Sequence, residues 1–375
     1  MKKLFLLTAF VLPAFAGYGY QATITLGNSS QIPASQTNFT VLVCANLTMG
    51  NGNSCPTVSG LAVTGSGGYV TNSSGYDIVF STTACSSPTL MNWEIPTYTG
   101  SSGAMEAWVL VPSLAAGGSF YMCVGNSAIT TFQGGAAGAE WNSSYLGVYH
   151  LPNGSTLSAN DSTSHANTGT PSSAPAVAGQ IDGGVNFAGT GYVDAAQIAP
   201  ATSVTLSAWV KLNSTTQGTY SCIVMQDYAS SATSPYIAYG LEATDNGSST
   251  WVWQSNMGGT QHLIQKSGTL DTNWHYIVGV STSGSQILYF DGSVVASGSA
   301  TGSLSYSTGH FRIGQNEWGN PLNGIVDEVR VANVPLSANW VTTEYNNQKA
   351  PASFLTVGGL TAVGSSSKRR IIVVN

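Results

Sequence analysis

The feature that most restricts the fold is a succession of short apolar runs, each closed by clusters of Gly, Asn, Ser or Pro. "YQATITL" opens the series at Tyr20, and "FTVLVC", "YDIVF", "MEAWVLV" and "FYMCVG" follow before Gly134. "VTLSAWVKL", "NWHYIVGVST" and "HFRIGQ" continue it beyond residue 200. β-branched and aromatic residues fill these runs, and turn-forming residues separate them, which is the pattern of short antiparallel strands. The clearest hairpin is "QILYFDGSVVASG": Ile287, Tyr289, Val294 and Ala296 alternate about Asp291-Gly292, the dipeptide that supplies the two positive φ angles of a tight primed turn. Charged residues make up only 7% of the 375, so long Glu- and Lys-rich helices are excluded. "LSANWVTTEYNN" at 336–347 is the one stretch that reads as a short helix. The expected fold is all-β: a small N-terminal antiparallel β-sandwich followed by a two-sheet jelly roll.

Punctuation along the chain divides it. Lys2 and Lys3, the apolar run from Leu4 to Leu12 and Ala14-Phe15-Ala16 have the three-part form of a secretory signal peptide, expected over 1–16. No other stretch is long and apolar enough to suggest a membrane span. A small β domain is expected over 17–135, a jelly roll over 136–358 after the short linker "GAAGAEW", and a tail over 359–375. In that tail a Gly/Ser spacer precedes the basic cluster Lys368–Arg370 and the apolar "IIVVN". The end is either a strand that joins a sheet edge of another subunit, giving self-association, or of an anchoring partner, or it is an unstructured terminus.

Charge narrows the partners. Between Gly17 and Ser367 there are five basic residues against sixteen acidic ones, a net charge of −11. Such a surface repels nucleic acid and anionic lipid. Cys44, Cys55, Cys85 and Cys123 fall in the first third, where an exported chain forms two bridges in any of three connectivities. Cys222, in "CIVM", reads as a buried free thiol.

The later motifs carry a resemblance. "DSTSHANTGT", "GGVNFAGTGYVDAA", "VTLSAWVKL", "NWHYIVGVST", "LYFDGSVVAS", "FRIGQN" and "LNGIVDEVRVANVPLSANWVTTEYNN" follow one another in the order of the laminin-G-like group of concanavalin A-like jelly rolls, and the segment resembles that group. The preceding segment, through "ATITL", "FTVLVC", "YDIVF" and "AWVLVPSLAAGGSFYMCVGN", is similar to a bacterial domain of unknown function that often precedes such jelly rolls. Together the resemblances imply a secreted or cell-surface, non-catalytic binding or adhesion protein that recognises a glycan or a surface protein. Two alternatives stand beside it: a structural surface or filament subunit, and a glycoside hydrolase. The group also implies one structural Ca²⁺, for which Asp161, Asn167 and Asp327 are the candidate oxygen donors; turn-holding hydrogen bonds to backbone amides are the other use for the same aspartates.

Chemistry in the residues themselves is sparse. A glycosidase needs two carboxylates across one bond, and its relatives on this fold alternate acids along a strand in a pattern like E-x-D-x-x-E, which is absent here. Asp327 and Glu328 are consecutive, and strict alternation points them to opposite faces, with Ile325, Asp327, Val329 and Val331 in one line and Glu328 beside Arg330 on an exposed one. Aromatic residues are the better binding clue. Trp251 and Trp253 share a strand face, Trp318 lies in a Gly/Asn-rich loop, and Tyr228 and Tyr236 flank a Ser-rich loop; all five are candidates to stack on a ligand, against core packing as the other use of the two strand tryptophans.

Overall fold

The computed structural model describes residues 17–152, 156–231 and 234–364. The signal-like segment 1–16 and the basic, apolar end at 368–375 lie outside them. Within the described residues the chain is nearly all antiparallel β-structure, as the run-and-turn pattern requires.

The larger unit is a sandwich of an eight-stranded and a seven-stranded sheet. The eight-stranded sheet is built about Val204–Leu212, which pairs with Trp274–Ser281 on one side and Gly324–Ala332 on the other. The seven-stranded sheet centres on Ser221–Asp227, Ile237–Thr244 and Val252–Met257. Side chains facing inward from both sheets, among them Leu206, Val326, Tyr239, Trp251, Trp253 and Phe311, form one continuous core. The hairpin expected about Asp291-Gly292 is present, with strands Gln286–Phe290 and Ser293–Gly298 and φ of 50° and 78° at the two turn residues.

The smaller unit is a second sandwich, with strands Gln36–Ala45, Ala104–Leu114 and Asn92–Thr99 facing a sheet built on Tyr20–Leu26 and Ser119–Val124. Its composition was not fully local. Leu355–Val357 and Thr361–Ala362 both pair with Tyr20–Leu26, and Phe354 and Leu355 enter this unit's core. The chain therefore leaves the jelly roll and returns to complete the first sheet. Of the three disulfide connectivities the structure has Cys44–Cys55 and Cys85–Cys123, with Cα separations of 5.5 and 5.6 Å, and Cys222 is free and buried.

The helix Ala338–Lys349 sits between the units. Ser337 caps it by accepting from the Trp340 N–H. Val341 packs against Trp209 and Tyr276 of the jelly roll. Asn347 turns the other way: its side chain accepts from the Leu42 N–H at 2.7 Å and donates to the Leu42 carbonyl at 3.0 Å. One amide thus satisfies both polar groups of a strand edge in the first unit, an edge that would otherwise be open to another strand.

Candidate functional site

The outer face of the seven-stranded sheet carries an open cleft of about 410 Å³. Leu241 and Ala243 point into the core, so Glu242 between them points out into this cleft. Gln254 and Gln261, from the next two strands, stand beside it, and Asp245 follows in the turn. Gln254 Nε2 donates to Glu242 Oε2 at 2.6 Å and to Asp245 Oδ1 at 3.4 Å, while Gln261 donates to Gln254 Oε1. Burial, followed by the neighbouring Asp245 charge, pushes the Glu242 carboxyl up to about 8. Burial raises Asp245 as well.

The same cleft has an aromatic lining. Trp318 and Tyr236 meet edge to face, with ring centroids 5.6 Å apart and planes at 80°. The Asn316 side chain accepts from the Trp318 and Asn320 N–H groups, both at 3.1 Å, and so fixes the loop that presents the indole. The indole Nε1 itself has no protein partner. Tyr236 is 45% exposed and Tyr220, at the cleft's other end, 38%.

Of the five aromatic candidates, then, the structure brings Trp318 and Tyr236 together at one cleft. Tyr228 contributes its backbone, donating to the Tyr236 carbonyl at 2.8 Å, and stands outside the cleft wall. Trp251 and Trp253 are 1% and 0% exposed and face the core. They share a strand face, but it is the inner one. Trp253 donates to Ser281 Oγ at 2.9 Å and lies flat over Gly279, where any side chain would collide with the ring.

The three metal candidates are not brought together as one donor set. Asp161 accepts from the Val148, Thr163 and Asn167 N–H groups and from the Thr163 hydroxyl, at 2.8 to 3.0 Å. Asn167 donates its side-chain amide to the Leu146 carbonyl. Asp327 is fully buried, with Oδ2 accepting from the Gln180 and Ile181 N–H groups and Oδ1 unpartnered. Calcium takes six to eight oxygens with free lone pairs; here Asp161's oxygens already hold four donors, so these residues do not fit the ion.

Asp327 and Glu328 occupy an arrangement that alternation misses. Ser207 lies opposite Arg330 but Trp209 lies opposite Asp327, so the pairing slips by one residue, and Glu328 takes φ of 51°. This is a β-bulge. Val326, Val329 and Val331 face the core, leaving Asp327, Glu328 and Arg330 on the outer face. That face is covered by the first unit and the helix, so Glu328, expected to be solvated, is 1% exposed. It does pair with Arg330, at 2.8 Å, and also with His150 Nδ1 at 2.6 Å. His150 Nε2 reaches Glu94 at 2.8 Å and Arg330 reaches Glu344 at 3.1 Å. The guanidinium lies over both Trp108 and Trp141, at 4.6 and 4.8 Å from their ring centres. Burial opposes charge on His150, but Glu328 and Glu94 outweigh it and hold the imidazole well above its usual range. Burial likewise opposes Glu328 ionisation, and His150 and Arg330 overcome it. Glu106, which accepts from Trp108 Nε1 at 2.9 Å, is pushed up to about 8 by burial despite the attraction of His150. Burial, then the Glu328 charge, raises Asp327 well above the carboxylate range. Glu106, His150 and Glu328 bring ligand-type atoms within 4.8 Å of one another. Both His150 nitrogens are already committed to carboxylates, however, so the cluster reads as an ion-pair network rather than a metal centre.

Comparison with known proteins places this unit. Residues 182–342 match the family described as the concanavalin A-like lectin/glucanases superfamily. No curated protein sequence matches the chain. Among solved structures, domain 4 of AbnA, a GH43 extracellular arabinanase from Geobacillus stearothermophilus in complex with arabinotriose, is 16% identical, with a TM-score of 0.43, 54% of this chain covered and 98% of that one. The binding domain of Paraclostridial Mosquitocidal Protein 1 is 12% identical at a TM-score of 0.43, over 54% of this chain and 52% of that one. The botulinum neurotoxin serotype G binding domain is 14% identical at 0.42, over 54% and 50%. The chain thus spans about half the length of the two toxin chains.

In this concanavalin A-like unit the polar wall of the cleft escaped the sequence reading. Its signal was present: Glu242 is an acid inside the otherwise uncharged run "YIAYGLEAT", in phase with the outward positions of its strand. Among the described residues no helix is long and apolar enough to cross a membrane.

Proposed function

We propose that the chain is a secreted or cell-surface, non-catalytic binding protein that holds a carbohydrate in the cleft on the outer face of the seven-stranded sheet. The observation that carries this reading is that one open cleft is lined by both the Trp318–Tyr236 pair and a group of side-chain amides and carboxylates. A sugar ring has an apolar face that stacks on an indole and equatorial hydroxyls that pair with amides and carboxylates. The superfamily match at 182–342 agrees with a lectin-like role. Two disulfides favour an oxidising compartment and so export. Absence of catalysis is supported by the placement of the acids: Glu242 and Asp245 bond to the same Gln254 nitrogen, so they share one wall instead of flanking a glycosidic bond.

A glycan array probed with the wild type and with Trp318→Ala tests the proposal. The wild type retains at least one class of glycan, and the variant loses it about tenfold or more, the effect of roughly 1.4 kcal/mol. Equal retention by the two proteins refutes the cleft as the site. Release of reducing sugar from the retained glycan would overturn the non-catalytic reading.

A second reading rests on the sheet edges. Ser293–Gly298 is the terminal strand of the eight-stranded sheet, and Val294 on it is 53% exposed. Self-association through this edge would make the chain a surface or filament subunit. A concentration-independent monomer mass in light scattering counts against it.

A further inference from the structure

Two clusters of buried and part-buried acids about the jelly roll differ in one respect. On the covered face, Glu94, Glu328 and Glu344 are met by His150 and Arg330. In the open cleft, Glu242 and Asp245 are met only by the neutral amide of Gln254, and none of the lining residues is Lys, Arg or His. Asp227, behind the cleft and also buried, has one carboxyl oxygen without a partner. The nearby Arg312 is committed to Asp194 at 2.6 Å. Buried carboxylates require a cation or a proton. Here the protein supplies neither a lysine nor an arginine, and the site is open to solvent.

We propose that the cleft selects a sugar bearing a free amino group, its ammonium lodged against Glu242 and Asp245 and its ring against Trp318 and Tyr236. This rests on the carbohydrate-binding reading of the same cleft and adds the substrate class. The ammonium offers three N–H donors to carboxylates that still have open acceptor positions beside the Gln254 bond. A metal ion is a poorer match, because the Gln254 N–H group points at the same oxygens. Uronic and sialic acids are disfavoured, since their carboxylates would face Glu242 and Asp245, beside which the cleft lining places no cation. The groups around Glu242 agree: Asp245 and Asp227 both oppose its ionisation, and the buried Cys222 thiol adds no positive charge. An arriving ammonium reverses that balance, so the Glu242 carboxyl ionises on binding and gives up its proton.

The test is calorimetry at pH 6.5 with glucosamine oligomers, their N-acetylated counterparts, galacturonic acid oligomers and 1,6-diaminohexane, in two buffers of different ionisation enthalpy. The glucosamine oligomer binds at least tenfold more tightly than each of the others and releases a proton to the buffer. Glu242→Gln abolishes the proton release and reduces the amine preference; the less buried Asp245→Asn reduces the preference as well and keeps the test open should Glu242→Gln fail to fold. Equal binding of the amino and N-acetylated oligomers, equal or tighter binding of the uronate, or equal binding of the ring-free diamine overturns the amine selectivity. If the N-acetylated oligomer binds but the amino sugar gains nothing, the carbohydrate reading survives and this one falls. If no sugar in the panel or on an array binds, both fall.

Discussion

The jelly roll has two outer faces, and they use the same kinds of residue for opposite ends. The face of the eight-stranded sheet is sealed by the helix Ala338–Lys349 and the first unit, and Glu94, Glu328 and Glu344 are paired there with Arg330 or His150. The face of the seven-stranded sheet is left open, and the two acids of its cleft, Glu242 and Asp245, meet only the Gln254 amide. The difference teaches that a buried carboxylate is not in itself a sign of function. What separates Glu328 and Glu344 from Glu242 and Asp245 is that the fold closes over the first two with its own cation.

The sharpest way to break this contrast is at Arg330. Arg330→Ala leaves Glu328 and Glu344 buried without their guanidinium, and we expect a loss of about 3–5 kcal/mol of stability, the cost of stranding a buried charge. Thermal and urea denaturation measure it, and a loss below about 1 kcal/mol would mean that the sealed face is wetter than described.

The tryptophans give a comparison of like with like. Trp253→Ala removes a fully buried indole from the shared core and is expected to cost about 3–5 kcal/mol. Trp318→Ala, at the rim of the cleft, is expected to change stability by less than about 1 kcal/mol while removing glycan retention. Equal destabilisation by the two would erase the distinction between core and site.

A third expectation concerns pH. Glu106, Glu242 and Glu140 of the linker "GAAGAEW" are raised by burial to about 8, and Asp327 is raised in the same direction. Each holds its proton in the folded state after the unfolded chain has lost it, so folding weakens as pH rises through the interval between the two values. His150, also raised, contributes stability that is complete below its unfolded value and is lost as pH climbs through the folded one. Glu328 acts oppositely, its contribution fading only as pH falls below the ordinary glutamate range. Unfolding free energy is therefore expected to peak near about pH 5 and to decline towards about pH 8. Glu106→Gln, which keeps an acceptor for Trp108, should flatten that slope. A curve that rises from pH 5 to 8 would contradict the sealed-face electrostatics.

The smallest expected effect lies at the sheet edge. Val294→Lys on the exposed terminal strand should leave stability within about 0.5 kcal/mol and leave glycan retention unchanged. If it instead shifts the molecular mass, edge pairing between copies is part of the assembly.

Much of this architecture was legible in the chain. Asp291-Gly292 announced its hairpin because only certain residues accept two consecutive positive φ angles, and "VTLSAWVKL" spans the same residues as its strand, Val204–Leu212. Cys222 read as a buried thiol because apolar residues surround it. The site was less legible. Face assignment at Asp327 and Glu328 relied on strict alternation, and one inserted residue in the pairing overturned it. Trp251 and Trp253 share a face in any strand, but which sheet surface is the inner one depends on the partner sheet, which local sequence does not contain. The return of Leu355–Val357 to the first unit is likewise a long-range pairing, and nothing near residue 355 signals a strand some 330 residues earlier. Glu242 is a clear signal, an acid in an apolar strand, but one that the pattern of paired acids does not contain.

The most direct test of the account is a crystal structure of the protein with a bound oligosaccharide drawn from those it retains on an array. The account predicts density for a sugar ring against Trp318 and Tyr236, with its polar groups on Glu242, Asp245 and Gln254, and no change on the sealed face about Arg330. Sugar bound elsewhere, with the cleft holding only solvent, would contradict it.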